Sequence, residues 1–373
     1  MSFLRLWPLL FLPGSLVAQA PEPGAPATLD IDSITPEEEQ YATSFLGDVV
    51  SGGAGLLGVE EDAYLTFYLD NDLFGGTDEN YTNGARLSWI SKNRPLSDVP
   101  FIQRRLGDVL NGMGGSPWKF NYGFSLTQLI FTPSDPDPTA LITDDRPYAG
   151  WLAVGFSVHA KTERVLNSLE VTLGTVGPNS FAENAQDLIH DVRDIPKFNG
   201  WDNQLRNEPT LNLHFRQTHR LPGREFGHFG LTWLGFWGAD LGNVIVRGSV
   251  GSEVRFGYNL PSDFSADRLT VTAYTNQFFD EDGINYQNVS PWSVFLLGGF
   301  EGGAIAHNIF LDGNTFVDSF SIDKEPLVAD IYAGFGIRYR DLRLSYVQTL
   351  RTKEFEGQDE EQIFGSLSLS LSF

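Results

Sequence analysis

From residue 62 onward, one pattern recurs along the chain: apolar side chains at every second position, with polar or small ones between. Leu65, Phe67 and Leu69 alternate with Tyr64, Thr66 and Tyr68. Leu152, Val154, Phe156 and Val158 alternate with Ala153, Gly155, Ser157 and His159. Leu169, Val171 and Leu173 oppose Glu170, Thr172 and Gly174, and Ile331, Phe335 and Ile337 oppose Asp330, Gly334 and Arg338. A period of two is that of a β-strand with two unlike faces. Such stretches predict strands at 62–70, 81–91, 119–131, 149–161, 165–176, 209–221, 226–238, 243–258, 292–309, 327–341, 342–352 and 363–373. That is about twelve, an even number as in most single-chain bacterial barrels. Residues 259–291 read as a loop with at most one short strand.

One segment follows the helical period instead. Phe181, Ala185, Leu188, Ile189 and Val192 form a stripe, and Gln186 and His190 share the other side four residues apart. Ser180 and Glu183 have the spacing of a capping box. The prediction is one amphipathic helix over 180–193, with either the barrel wall or the lipid interface to receive its apolar face.

Periodicity leaves open which strand face points inward, and composition decides it. The first 20 residues read as a secretory signal: Arg5, an apolar stretch from Leu6 to Leu12, and Ala18-Gln19-Ala20 as a small-x-small cleavage site. Residues 21–61 are Pro-rich and acidic, and read as a flexible segment. No run in the remainder is long and apolar enough for a membrane-spanning helix. There are no cysteines, so neither disulfides nor thiolate metal sites are available. Glycine is abundant at 39 residues, and aromatics make up 13%. Export, long strands and this composition favour an all-β fold: a transmembrane antiparallel β-barrel over 62–373 in the bacterial outer membrane, apolar face to lipid. The last strand supports it, because Leu367, Leu369, Leu371 and Phe373 alternate with serines. In water such a strand would be an aggregation-prone edge, and closing a barrel removes the edge. The net charge of −23 argues against nucleic acid as a partner. A monomer is expected.

Candidate chemistry gathers around the first hairpin. Asp70, Asn71 and Asp72 end the first strand, and Asp78, Thr82 and Asn83 follow across a Gly-rich turn. Clustered side-chain oxygens suit a hard cation such as Ca²⁺, although Asp, Asn and Gly are also ordinary turn residues. There is no Gly-x-Ser-x-Gly and no His-Glu-x-x-His. His190 on the helix is the candidate general base, beside Asp191 and Asp194. A solvated helix histidine is the plainer alternative.

Several ordered motifs across 62–215 together resemble the lipid A 3′-O-deacylase family of outer-membrane barrels. They are Asp70-Asn71-Asp72-Leu73-Phe74, Tyr81-Thr82-Asn83-Gly84, Gln128 with Thr132-Pro133, Asp145-Arg146-Pro147-Tyr148-Ala149-Gly150-Trp151, Gly177-Pro178, Gln186-x-x-x-His190, and Trp201-Asp202-Asn203-Gln204-Leu205. The resemblance implies a twelve-stranded barrel and a Ca²⁺-dependent esterase. That enzyme would remove the 3′-linked acyloxyacyl chain of lipid A, in lipopolysaccharide, at a site between barrel wall and loop helix. His190 would activate water with Gln186 as its neighbour, Asn71 and Thr82 would line the oxyanion side, and Asp72 would bind Ca²⁺. The chain departs from the pattern twice. It has no lysine near Pro138 and no glutamate near Pro196, so Asp194 stands in as the second metal ligand. The alternatives are a non-enzymatic channel or structural barrel, and a related barrel hydrolase acting on another lipid ester.

Overall fold

The alternating segments all become antiparallel strands, each paired with the next. In the computed structural model the described residues are 63–72, 80–95, 118–264, 268–269 and 291–372, all within the compact unit Gly58–Phe373. The expected signal, the 21–61 segment, Asp78 and Phe373 lie outside them. The strands are β1 (Tyr64–Asn71), β2 (Asn80–Ile90), β3 (Arg94–Pro95), β4 (Lys119–Thr132), β5 (Ala149–Lys161), β6 (Val165–Val176), β7 (Glu208–Phe226), β8 (Phe229–Gly242), β9 (Ile245–Tyr258), β10 (Trp292–Asn308), β11 (Leu327–Tyr339), β12 (Leu342–Arg351) and β13 (Gln362–Ser372). β1 pairs with β2 on one side and β13 on the other, and β2 pairs with β4. Twelve strands thus close a ring, and the two-residue β3 adds a short extra pairing on β4. Every long strand has two neighbours, so no edge is left to aggregate or to sit unpaired in lipid.

The two faces fall as the composition argued. Phe124, Val154, Leu173, Leu211, Leu296 and Ile331 are exposed on the outer wall. Arg86, Glu170, His214, Asp240, Glu301 and Arg343 are buried inside. Ion pairs line the lumen. Arg86 donates to both oxygens of Glu170 at 3.0 Å. Glu301 receives Arg247 at 2.9 Å, and Arg351 pairs with Asp330 at 2.8 Å. Buried charges persist only when paired and hydrogen-bonded, and these are. Among the described residues no helix is long and apolar enough to cross a membrane.

One expectation needs correction. The break expected at 222–225, between strands 209–221 and 226–238, is a register shift between Leu221 and Arg224 within β7. The turn comes later, at Gly227, whose φ of 66° suits glycine. The described part of 259–291 is loop, as expected, and it runs inside the barrel. Asp263 enters the lumen, where Arg255 donates to it at 2.5 Å and Arg343 pairs with it as well. Arg268 bridges Asp330 at 2.8 Å and Glu301 at 2.6 Å. Phe264 packs on Leu166, and Leu269 joins the cluster around Tyr68 and Tyr81. Alternation cannot reveal this segment, because its partners are charges scattered over five strands.

The connections β1–β2, β4–β5, β6–β7 and β10–β11 leave from one end of the barrel, the loop end; the other carries the short turns β5–β6, β7–β8 and β11–β12 and the longer connections β2–β4 and β9–β10. The β6–β7 connection carries helix α1 (Ala182–Arg193).

Candidate active site

At the loop end the outer wall turns polar. Strand alternation places Asn71 on the same outer face as Leu65, Phe67 and Leu69, while Asp70 points into the lumen and accepts from the Tyr81 hydroxyl at 3.3 Å. The oxygen knot read from the sequence is therefore divided between the two sides of the wall. Register carries the outer row across four strands: Asn71 opposes Asn83, Asn83 opposes Ile130, and Ile130 opposes Gly150. With strands about 4.8 Å apart, the row runs roughly 14 Å along the rim.

Thr82 joins this row through a bulge. The β2–β4 register shifts between Tyr81 and Asn83, so Thr82 is an extra residue opposite β4. Its Oγ1 lies 2.6 Å from Thr132 Oγ1. The Asn71 Nδ2 donates to the Thr82 carbonyl at 3.1 Å. Without the bulge, alternation would return Thr82 to the opposite face from Asn83. Asp72 follows Asn71 and is fully buried.

Helix α1 packs on the β4–β5 end of the row, at Ile130 and Gly150. The predicted start and cap are corrected: the helix begins at Ala182, and Phe181 takes a left-handed φ of 56° with no side-chain cap. Ser180 instead lies in a short 3₁₀ turn, buried, its carbonyl accepting from Gln128 Nε2 at 2.7 Å. Phe181 breaks the helical run, so Ser180 cannot reach the amides of the first turn. Gly150 allows the approach. A Cβ there would lie 2.2 Å from Ala182 Cβ and from Ser180 Oγ.

The helix turns its polar face to the wall. Ala182, Gln186 and His190 are its buried residues, while Phe181 at 61%, Leu188 at 50% and Val192 at 62% exposure face outward. In a bilayer that outward side meets lipid, so of the two surfaces considered the apolar stripe takes the lipid. Ala182 and Ala185 pack with Ile130, Tyr148, Phe198 and Trp201.

His190 is 3% exposed, so it is not a solvated helix histidine. Its Nδ1 lies 2.5 Å from the Pro196 carbonyl, which can only accept, so Nδ1 carries the proton. In that tautomer Nε2 is the basic nitrogen of the ring. Phe198 meets the ring edge-on at 5.8 Å. Tyr148 packs against Trp201 at 5.2 Å, and burial pushes its phenol up to about 12, so it stays neutral.

Of the expected site residues, Asn71 and Thr82 are joined directly, and Gln186 and His190 share one buried helix face. Asp194 is not on that face. It caps the C-terminus of α1 in the left-handed region and is exposed. Its neighbour Asp191 pairs with Lys197 at 2.8 Å, which raises the lysine's proton affinity. Among the described residues no three His, Asp or Glu side chains form a metal-binding group. A buried Asp72 beside an asparagine amide has the hard-oxygen character that Ca²⁺ takes. Asp194 adds nothing to that buried set.

Three contributors were missed as functional groups. Thr132 and Trp201 sit in quoted motifs without a role, and the Pro196 carbonyl is main chain and carries no side-chain signal.

Comparisons with known proteins bear on the family and the fold. The family model described as "Outer membrane protein LpxR" matches residues 41–373. LpxR from Salmonella typhimurium shares 17% identity, with 83% of this chain and 100% of that chain covered and a TM-score of 0.64. The KdgM porin matches at 6% identity over 83% of this chain and 99% of that one, with a TM-score of 0.32. The translocator domain of autotransporter NalP from Neisseria meningitidis matches at 8% identity over 92% and 100%, with a TM-score of 0.36. No curated protein sequence matches. A closed twelve-stranded wall, a helix laid over its polar rim and a family match through the whole barrel make this chain a member of the LpxR family of outer-membrane lipid A 3′-O-deacylases.

Proposed function

We propose that the protein hydrolyses the 3′-O-linked acyloxyacyl ester of lipid A in the outer leaflet, with His190 as general base. One observation carries the reading. A buried imidazole, its Nδ1 held by a main-chain carbonyl so that Nε2 is the basic nitrogen, lies on the helix face that packs on the outer side of β4 and β5, on the side of the barrel where lipid is. Polar side chains on a lipid-facing wall are costly unless something needs them.

The chemistry follows from the groups present. Nε2 takes a proton from water as the water oxygen bonds to the ester carbonyl carbon. The carbonyl π electrons move onto oxygen, giving a tetrahedral oxyanion. Collapse reforms the carbonyl, breaks the carbon–oxygen bond to the sugar, and returns the proton from the imidazolium to the departing alkoxide. The Pro196 carbonyl holds the ring in the required tautomer throughout. The hydroxyl pair Thr82 and Thr132, with the Asn71 amide beside them, supply donors at the oxyanion side. Asp72, with the Asn71 side-chain oxygen and main-chain carbonyls, would hold a Ca²⁺ whose charge polarises the ester carbonyl. Asp194 has no part in this set.

The test is mass spectrometry of lipid A from membranes that contain the protein. Wild type should yield lipid A lighter by one acyloxyacyl group, and both chelator and Asp72→Asn should suppress the product. Unchanged lipid A alongside fatty acid released from phospholipid would assign the same site to another ester.

A further inference from the structure

Gln186 is 2% exposed, on the same helix face as His190. Its Oε1 accepts from the indole Nε1 of Trp201 at 2.8 Å, and its Nε2 has no protein partner among the described residues. An indole N–H can only donate. The bond therefore settles which end of the amide faces Trp201, and it must be the oxygen. The NH₂ end is left buried, unpartnered and at the interface between helix and wall. A buried donor without an acceptor is costly, so a site that keeps one has an acceptor to offer it.

Trp201 is itself immobilised. It is 2% exposed, opens a 3₁₀ turn and packs in one cluster with Ile130, Tyr148, Ala182 and Phe198. Gly200 lets Tyr148 press against that turn, since a Cβ there would meet the tyrosine ring at 2.5 Å. The indole is thus a fixed point, and the amide hangs from it.

We infer that Trp201 is a positioning residue that holds the Gln186 amide with its NH₂ directed at the acyl-ester substrate, as a hydrogen-bond donor to the carbonyl oxygen as it becomes an oxyanion. The inference rests on the proposed ester hydrolysis and adds to it the residue that sets the donor's direction. Freed from the indole, the amide can rotate and offer its oxygen to the substrate, which repels an oxyanion instead of stabilising it.

The experiment is a double-mutant cycle on the full-length protein in detergent, with purified lipid A and Ca²⁺, together with the indole N–H resonance of ¹⁵N-tryptophan-labelled protein. Trp201→Phe keeps a ring in the cluster and removes only the donor. It should lower kcat about tenfold, the effect of one hydrogen bond, with KM little changed. Gln186→Ala should lower kcat by about 10²–10³, as for loss of an oxyanion donor. Trp201→Phe should then have no further effect in the Gln186→Ala background. Gln186→Glu, which can accept from the indole but donate nothing as a carboxylate, should be as inactive as Gln186→Ala. Independent losses that multiply, or a Gln186→Glu variant of wild-type rate, would overturn the inference. The Trp201 resonance, assigned by its disappearance in Trp201→Phe, should shift in Gln186→Ala, and an unmoved resonance also overturns it. Failure of the hydrolysis reading looks different: wild type gives no product, while the resonance still reports whether the bond exists.

Discussion

At the residue scale the site is a set of side chains whose orientation is fixed by groups outside the reaction. His190 is tied through Nδ1 to a main-chain carbonyl, Gln186 through Oε1 to an indole, and Asn71 through Nδ2 to the Thr82 carbonyl. Each bond fixes the orientation of a two-ended side chain by one of its ends. His190→Ala should therefore abolish deacylation while the barrel still assembles, as checked by lipid A mass spectra and by heat-modifiable migration on gels. Retained turnover would place the base elsewhere. At the bulge, Thr82→Val should keep the shape and break the bond to Thr132, lowering kcat about tenfold. The spacing of four put His190 and Gln186 on one helix face, and only the family resemblance gave them roles. Their buried setting was not legible, because a polar helix face normally meets water and here meets a wall.

At the element scale the decisive contact is between α1 and the outer faces of β4 and β5. Gly150 is where the helix comes closest. Gly150→Val should force the helix off the wall, cost about 1–3 kcal/mol as overpacking, and reduce activity far more than it reduces assembly. Deacylation rate against urea-unfolding midpoint separates the two effects. The helix itself was readable from its stripe, and its start was not. Ser180 and Glu183 have the right spacing, yet the left-handed Phe181 between them takes Ser180 out of capping range. Strand positions were legible nearly to the residue because a two-residue period is a strong local signal. The β7–β8 turn was misplaced because Pro222-Gly223 reads equally well as a turn or as a register shift within a strand.

At the scale of the whole molecule the barrel is a carrier for the proposed rim site, and ion pairs cross its interior. Asp263 and Arg268 on the inward segment lock five charged groups of the wall: Arg255, Arg343, Glu301 and Asp330 by ion pairs, and Arg220 through the Asp263 carbonyl. A barrel crossed in this way should show no steady ion conductance in planar bilayers. Replacing both Asp263 and Arg268 by alanine should unpair those charges and produce conductance, with deacylation retained if the rim is independent of the lumen. Large stable conductance from wild type would favour the channel alternative. The chain lacks cysteine, so single cysteines placed in the lumen would report its accessibility without background.

What the sequence determined by itself is whatever local period encodes: twelve strands, two faces, one amphipathic helix, and the residue types able to do ester chemistry. The tertiary structure alone decided which side of the wall each polar residue serves. Asp70 and Asn71 are adjacent in the chain and lie on opposite faces, and a single bulged residue brings Thr82 to the lipid side. Closure of the ring sets register across strands far apart in sequence, and register, unlike period, is written in no single segment.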